Sequence, residues 1–289
     1  MQVGIVGQRG NTRAISLAGD ICERLHRDGI EVVVDESTHD AFQRGNVWHE
    51  EGASEAPIPD GRPVDAFDTC ELAVSIGGDG TFLFTARGAG ATPIMGINLG
   101  EVGFLNAVPP EEAVESVCEA VGQIQRSGTD ELRKMPRLTA ESDDWELPAA
   151  LNEVVIQSPQ RGHGNGLSIE VRVDGALYTS GRADGVLVAT TTGSTAYNLS
   201  EGGPIVHPDV PGFIITEMCG EEAMPPLVVD TDATVTVRID DADSAVAVSD
   251  GRVRRSVAPP AEIRLERAEI PVYIAGPPLD FFTALGKLE

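Results

Sequence analysis

The sequence predicts an α/β domain on a parallel sheet, followed by an antiparallel β-sandwich or barrel. Over the first half, short apolar runs alternate with stretches of helical periodicity, the pattern of strand–helix–strand units. After about residue 130 the periodicity becomes an apolar–polar alternation broken by tight turns, the pattern of paired antiparallel strands. A length of 289 residues is enough for two domains with cores of their own.

The first strand is expected at residues 3–6 and ends in the turn Gly7-Gln8-Arg9-Gly10-Asn11. Ala14, Ile15, Ala18, Ile21, Cys22 and Leu25 then recur at helical spacing before a second apolar run at 30–34. Residues 36–69 are polar, acidic and rich in Pro and Gly, with isolated Trp48 and Phe67, and read as a long variable surface loop or a flap. A buried strand at 72–76 leads into Gly77-Gly78-Asp79-Gly80-Thr81, followed by a short helix through Arg87, a strand at 93–97 and a helix around 110–125. In the second half, Leu167, Ile169, Val171 and Val173 share one face ahead of the hairpin turn Asp174-Gly175. Runs at 233–239, 245–248, 263–265 and 272–275 continue the antiparallel pattern, with a further turn at Asp250-Gly251. Residues 280–289 return to helical spacing and are expected to pack back on the first domain. The expected domains are therefore 1–128 plus 276–289, and 129–275.

Composition narrows the function classes. A formal charge of −25 opposes binding to the nucleic-acid phosphate backbone. Only Lys134 and Lys287 are lysines, and depleted lysine on a carboxylate-rich chain fits a salty cytoplasm, where screening weakens self-repulsion. No signal peptide or long apolar run is present, so a cytoplasmic protein without a membrane partner is expected. Cys22, Cys70, Cys118 and Cys219 are far apart in sequence and read as small core residues, and the histidines lack ligand spacing.

Four segments carry residue types that core packing does not call for. In Gly77-Gly78-Asp79-Gly80-Thr81 the glycines permit a sharp turn and close ligand approach, and successive N–H groups can cradle phosphate. Asp79 repels phosphate, so it fits a base or a metal-holding group, or else a helix cap in a plain turn. Asn98 follows a strand at the carboxyl edge of the sheet, where open α/β sheets bind ligands. Asn152 and Glu153 together can accept from and donate to a ribose cis-diol, although such a pair is also common where a turn enters a strand. Residues 190–204, rich in Thr, Ser and Gly, read as a flexible linker or, given Tyr197 and Leu199, as a packed loop with hydroxyl donors for phosphate and ribose.

Taken in order, these segments resemble the NAD kinases. The likeness rests on Gly77-Gly78-Asp79-Gly80-Thr81, Asn98-Leu99-Gly100 with Gly103-Phe104-Leu105, Asn152-Glu153, and Asp184-Gly185. It continues through Thr192-Gly193-Ser194-Thr195-Ala196-Tyr197-Asn198-Leu199-Ser200, Gly202 to Pro208, and Asp250-Gly251. The resemblance implies a Rossmann-like first domain, a β-sandwich second domain and a site in the cleft between them. It also implies phosphoryl transfer from ATP or polyphosphate to the 2′-hydroxyl of the adenosine ribose of NAD, with a divalent ion (Mg or Mn) and no direct protein ligation of it. By position, Asp79 is the implied base, with Gly77, Gly78, Gly80, Thr81 and Asn98 around the substrates. Asn152 and Glu153 are the implied ribose ligands, Asp184 lies toward the nicotinamide, and Thr192, Thr195, Ala196, Tyr197, Asn198, Leu199 and Ser200 lie toward the adenosine. His163 and Arg182 fall where the family has polar dinucleotide contacts, and a homo-oligomer, dimer or tetramer, is implied.

The chain departs from the family pattern at Thr191 (usually Pro), Glu101 (often basic) and Val102 (usually Leu). Residues 217–226 lack the family's His and Arg and carry Glu217, Glu221 and Glu222. That loss of donors motivates a competing reading, a homologue that binds NAD(P) with altered or no kinase activity. A kinase for another polyol or a lipid is the third reading.

Overall fold

The computed structural model describes residues 1–45, 57–100, 103–160, 166–220 and 224–286. Trp48, Glu101, Val102, His163, Glu221 and Glu222 lie outside them. The chain divides into two compact units, Met1–Lys134 with Val272–Glu289, and Met135–Pro271.

Along the chain the first unit supplies β1 (Gln2–Gly7), α1 (Thr12–Arg27), β2 (Glu31–Asp35), α2 (Glu36–Arg44), β3 (Asp60–Arg62), β4 (Leu72–Gly77), α3 (Asp79–Gly88), β5 (Ile94–Asn98), α4 (Ala113–Ser127) and β6 (Arg133–Met135). The second unit supplies β7 (Leu138–Ser142), β8 (Trp145–Ala150), β9 (Glu153–Gln157), β10 (Leu167–Val173), β11 (Ala176–Ala183), β12 (Gly185–Thr190), α5 (Tyr197–Ser200), β13 (Phe213–Met218), β14 (Leu227–Val229), β15 (Val235–Asp241), β16 (Ala245–Ser249), β17 (Val253–Val257) and β18 (Ala261–Arg267). The chain then returns to the first unit as β19 (Val272–Ile274) and α6 (Phe281–Leu285).

The first unit is built on a seven-stranded sheet in the order β3-β2-β1-β4-β5-β19-β6. Its central strands β1, β4 and β5 pair in parallel, and β4 and β5 are buried along their whole length, as expected of strands covered on both faces. Asn11 caps α1 by accepting from Arg13 N (3.1 Å) and Ala14 N (3.3 Å). The helix buries Ala14, Ile15, Ala18, Ile21, Cys22 and Leu25, the stripe its spacing predicts. Parallel pairing brings Gly7, Gly77 and Asn98, the last residues of β1, β4 and β5, to one edge of the sheet. Ligands of open α/β sheets bind at that carboxyl edge.

Three expectations are corrected here. Residues 36–69 are not a plain surface loop: α2 and β3 bracket the undescribed stretch, β3 extends the sheet, and Phe67 is fully buried. A Cβ on Gly4 would sit 2.5 Å from the Phe67 ring, so the aromatic occupies space only a glycine strand leaves. The run at 272–275, expected in the antiparallel region, instead places β19 parallel to β5, where three residues are too few to reveal a partner. Among the cysteines only Cys22 and Cys70 are buried; Cys219 is exposed and Cys118 half-buried.

The second unit is a sandwich of two six-stranded sheets, in the orders β11-β10-β15-β18-β7-β8 and β14-β13-β12-β9-β16-β17. Val154, Val186 and Phe213 from one sheet and Ile169, Val237 and Ile263 from the other meet in one core. The far side of the second sheet is covered too: Val155, Leu187 and Ile214 pack with Tyr197 and Val206 of the loop that follows β12. That loop is packed, not a flexible linker. Among the described residues no helix is long and apolar enough to cross a membrane.

Candidate active site

In the first unit the chemistry centres on Asp79, the first residue of α3. Its carboxyl is gripped by one turn: Oδ2 accepts from Phe104 N (3.0 Å), and Oδ1 accepts from Leu105 N (3.2 Å) and from Asn106 Nδ2 (3.1 Å). Burial raises the Asp79 carboxyl above its ordinary range, and these three donors work against the rise. A carboxylate oxygen has two lone-pair directions, so Oδ2 keeps one for a substrate hydroxyl while Oδ1 is fully engaged. A Cβ on Gly103 would lie 2.1 Å from Oδ1, so that turn closes on the carboxyl only because residue 103 has no side chain.

The glycines of this loop divide by purpose. A Cβ on Gly77 would meet Thr81 Oγ1 at 2.6 Å and Gln8 at 2.9 Å, a packing requirement. A Cβ on Gly78 or Gly80 would meet no protein atom within 4 Å, so packing does not demand glycine there. What a bare backbone adds at those positions is access to the start of α3. Thr81 N and Phe82 N both donate to Gly78 O, and the N–H groups of Asp79 and Gly80, at the start of the helix, have no helical partner among the described residues. Asn98 is buried, and its Oδ1 accepts from Gly100 N (3.1 Å), shaping the adjacent turn.

In the second unit Asn152 and Glu153 form the entry to β9. Thr190 N donates to Asn152 O (2.8 Å), Thr190 Oγ1 donates to Leu151 O (2.6 Å), and Gly193 N donates to Thr190 Oγ1 (3.1 Å). A Cβ on Gly193 would lie 2.1 Å from Asn152 O, so the 3-10 turn Thr192–Thr195 rests directly on this pair. Glu153 is 6% exposed, and burial with the nearby Asp250 pushes its carboxyl up to about 8. Glu153 Oε2 and Thr192 Oγ1 are buried and have no hydrogen-bond partner among the described residues. Two orphaned oxygens on touching turns are the signature of a site that a polar ligand completes.

Thr195, Ala196, Tyr197 and Leu199 are half-buried and Ser200 exposed, a surface open to a ligand. Asn198 differs: it is fully buried, its Nδ2 donates to Ser194 O and Pro204 O, and its Oδ1 accepts from Thr216 Oγ1. Its amide braces the loop. Asp184 and Arg182 lie at the other end of β12, roughly 20 Å away at the rise of a six-residue strand. Asp184 has its backbone tied to Met218 O and Ser158 N, and Arg182 Nη2 donates to Gly166 O (3.0 Å). Glu217, in the divergent segment, pairs with Val186 and has a buried Oε1 without a partner among the described residues. His163 lies outside the described residues. Sequence reasoning missed Asn106 as a ligand of Asp79 and gave no role to Gly103; only the glycine itself signalled a close approach.

Comparison with known proteins agrees with both halves of the chain. Residues 3–123 match the ATP-NAD kinase N-terminal domain and residues 151–275 the ATP-NAD kinase C-terminal domain. An NAD kinase of Haloarcula marismortui is 60% identical over 288 residues, and one of Natronomonas pharaonis 55% identical over 289, each covering 100% of both chains. Among solved structures, an NAD kinase from Archaeoglobus fulgidus in complex with ATP superposes with a TM-score of 0.75 at 27% identity, covering 100% of this chain and 98% of that one. With full-length relatives at this identity and both family domains in place, the chain belongs to the NAD kinase family.

Proposed function

We propose that this protein transfers the terminal phosphoryl group of ATP, or of polyphosphate, to the 2′-hydroxyl of the adenosine ribose of NAD, giving NADP. The observation that carries the reading is the grip on Asp79, which orients a half-buried carboxylate and leaves one lone pair on Oδ2. A secondary hydroxyl is a weak nucleophile. Asp79 Oδ2 takes its proton as the oxygen attacks phosphorus, the bond to the leaving phosphate breaks, and the donor departs one phosphoryl group shorter. The bare backbone of Gly78 and Gly80 and the donors of the first turn of α3 lie where the transferred phosphoryl oxygens gather charge. Asn152, Glu153 and Thr192 hold ribose hydroxyls, Thr195 to Leu199 line the adenosine, and Asp184 lies toward the nicotinamide.

Among the described residues no group of three His, Cys, Asp or Glu side chains can hold a metal ion. The donor set fits a Mg or Mn ion carried by the donor phosphates and water, with no direct protein ligand. When bound, such an ion neutralises donor charge in a chain that has almost no lysine to do so. A cytoplasmic protein in concentrated salt, without nucleic-acid partners, completes the reading, supported by the charge of −25 and the halophilic relatives, with a homo-oligomer following from the family resemblance alone.

The test is an assay for NADP with NAD or NADH, Mg²⁺ or Mn²⁺, and ATP or polyphosphate in molar KCl. NADP or NADPH formation with at least one donor is expected. Tight NAD binding with no turnover on any donor would replace the kinase with a binding homologue, and the divergent 217–226 segment would then be the first place to look.

A further inference from the structure

From the residues alone Asp250 reads as half of a hairpin turn, with no role beyond the motif it belongs to, and it does serve a turn. It has φ 44°, Gly251 follows at φ 63°, and Arg252 N donates to Ser249 O (3.0 Å) across the β16–β17 turn. A turn of this kind accepts Asn at least as readily as Asp, so the turn does not explain the charge. The partners of the carboxylate do. Asp250 Oδ2 accepts from Leu151 N (3.0 Å), and Oδ1 accepts from Asn152 N (2.8 Å) and Glu153 N (3.3 Å). In return Asp250 N donates to Glu153 O (3.0 Å). Four bonds therefore tie the tip of one hairpin to three successive residues about a hundred positions earlier, the same residues that present Asn152 and the orphaned Glu153 Oε2.

We propose that Asp250 is a positioning residue for the dinucleotide: its carboxylate sets the backbone of the Asn152–Glu153 turn and so aims both side chains at a ribose diol. The inference rests on the reading that this pair binds ribose. Asp250 itself touches no substrate; it acts through the turn it organises.

The same arrangement has an electrostatic consequence. Among the described residues Asp250 is the one charged group acting on Glu153, and the buried Arg137, whose Nε donates to Ile270 O, is the cation that Asp250 acts on in turn. The neighbouring 190–193 turn contributes threonine hydroxyls and no charge. Beside the Asp250 carboxylate and out of water, the Glu153 carboxyl is pushed up to about 8 and so favours its protonated form at neutral pH. A neutral Glu153 can donate to a ribose oxygen and adds no charge beside an anionic dinucleotide.

The experiment compares the full-length parent with Asp250→Asn and Asp250→Ala in molar KCl. Asn keeps the turn and one acceptor oxygen but sets an amide N–H against Leu151 N–H. Asp250→Asn is expected to raise the KM for NAD about tenfold, with kcat and the KM for ATP changed less than about threefold. It should also move the alkaline limb of kcat/KM for NAD to lower pH, because the charge that disfavours Glu153 ionisation is gone. Amide hydrogen exchange at Leu151, Asn152 and Glu153 should quicken in both variants, a readout that needs no turnover. An unmoved alkaline limb or parent-like exchange in Asp250→Asn would overturn the proposal. Loss of exchange protection with an unchanged KM for NAD would locate the failure in the ribose assignment instead.

Discussion

Asp79 in the first unit, half-buried, and Glu153 in the second, buried, are both carboxyls at the entry of a secondary-structure element, yet they are treated in opposite ways. Asp79 receives three donors from the turn at 104–106. Glu153 has a buried Oε2 with no partner among the described residues and an anionic neighbour, Asp250. Burial raises both, but only Asp79 has hydrogen bonds that favour its charged form. The difference assigns the work. On the proposed reading, the carboxyl whose charged form is held by three donors, with a lone pair to spare, serves as the base, and the carboxyl without such donors serves as a hydrogen-bond donor for a bound ligand.

The comparison breaks most visibly at Asp79. Asp79→Asn keeps the shape and removes the base, so kcat should fall at least about a thousandfold while NAD binding, followed by calorimetry, stays near that of the parent. A variant that turns over like the parent would remove Asp79 from the chemistry. Gly103→Ala tests the grip while leaving the carboxyl chemically intact. Its Cβ, 2.1 Å from Asp79 Oδ1, has to push the base aside. A drop in kcat of about a hundredfold, with the KM for NAD little changed, is expected from steady-state kinetics.

Glu153 should respond in binding instead. Glu153→Ala is expected to raise the KM for NAD about tenfold, whereas Glu153→Gln, still a neutral donor, should stay within about threefold of the parent at pH 7. Stability supplies a second readout. Glu153 titrates higher in the folded chain, at about 8, than in the unfolded one, so between those values the folded state holds a proton that the unfolded state has lost. Its contribution is full below the unfolded pKa and declines as pH rises, by roughly 1.4 kcal/mol per unit, until it levels off above 8. Thermal melts of the parent and Glu153→Gln from pH 5 to 9 should diverge with that sign. The smallest effect belongs to Asn106→Ala, which removes one of three donors to Asp79. It should lower kcat a few-fold and move the acid limb of the pH–rate profile upward, since the lost bond favoured the anion.

How much of this the sequence disclosed follows from the range of each interaction. The β1–α1–β2 unit, the glycine loop and the Asp174-Gly175 hairpin are written in local periodicity and turn chemistry, and all three form where expected. The stretch 36–69 hid a helix and an edge strand because its anchors, Phe42 and Phe67, are too far apart to make a period. β19 was assigned to the wrong sheet because three residues carry no information about their partner. At the site, Asp79 and Glu153 were legible as motif residues, while their supports were not. Gly103 and Asn106 act on a carboxyl more than twenty residues upstream, and Asp250 on a turn about a hundred residues upstream. Asn198 is the reverse case, a polar motif residue whose amide is taken up by Ser194 and Pro204 of its own loop and by Thr216 of β13.

The division of labour between the two carboxyls is tested most directly by the pH dependence of kcat/KM for NAD, measured for the parent and Glu153→Gln in the same high-salt buffer. The parent should show an acid limb from Asp79 and a falling limb near pH 8 from Glu153, and Glu153→Gln should lose the falling limb while keeping the acid limb in place. A falling limb that persists unchanged in Glu153→Gln would contradict the account.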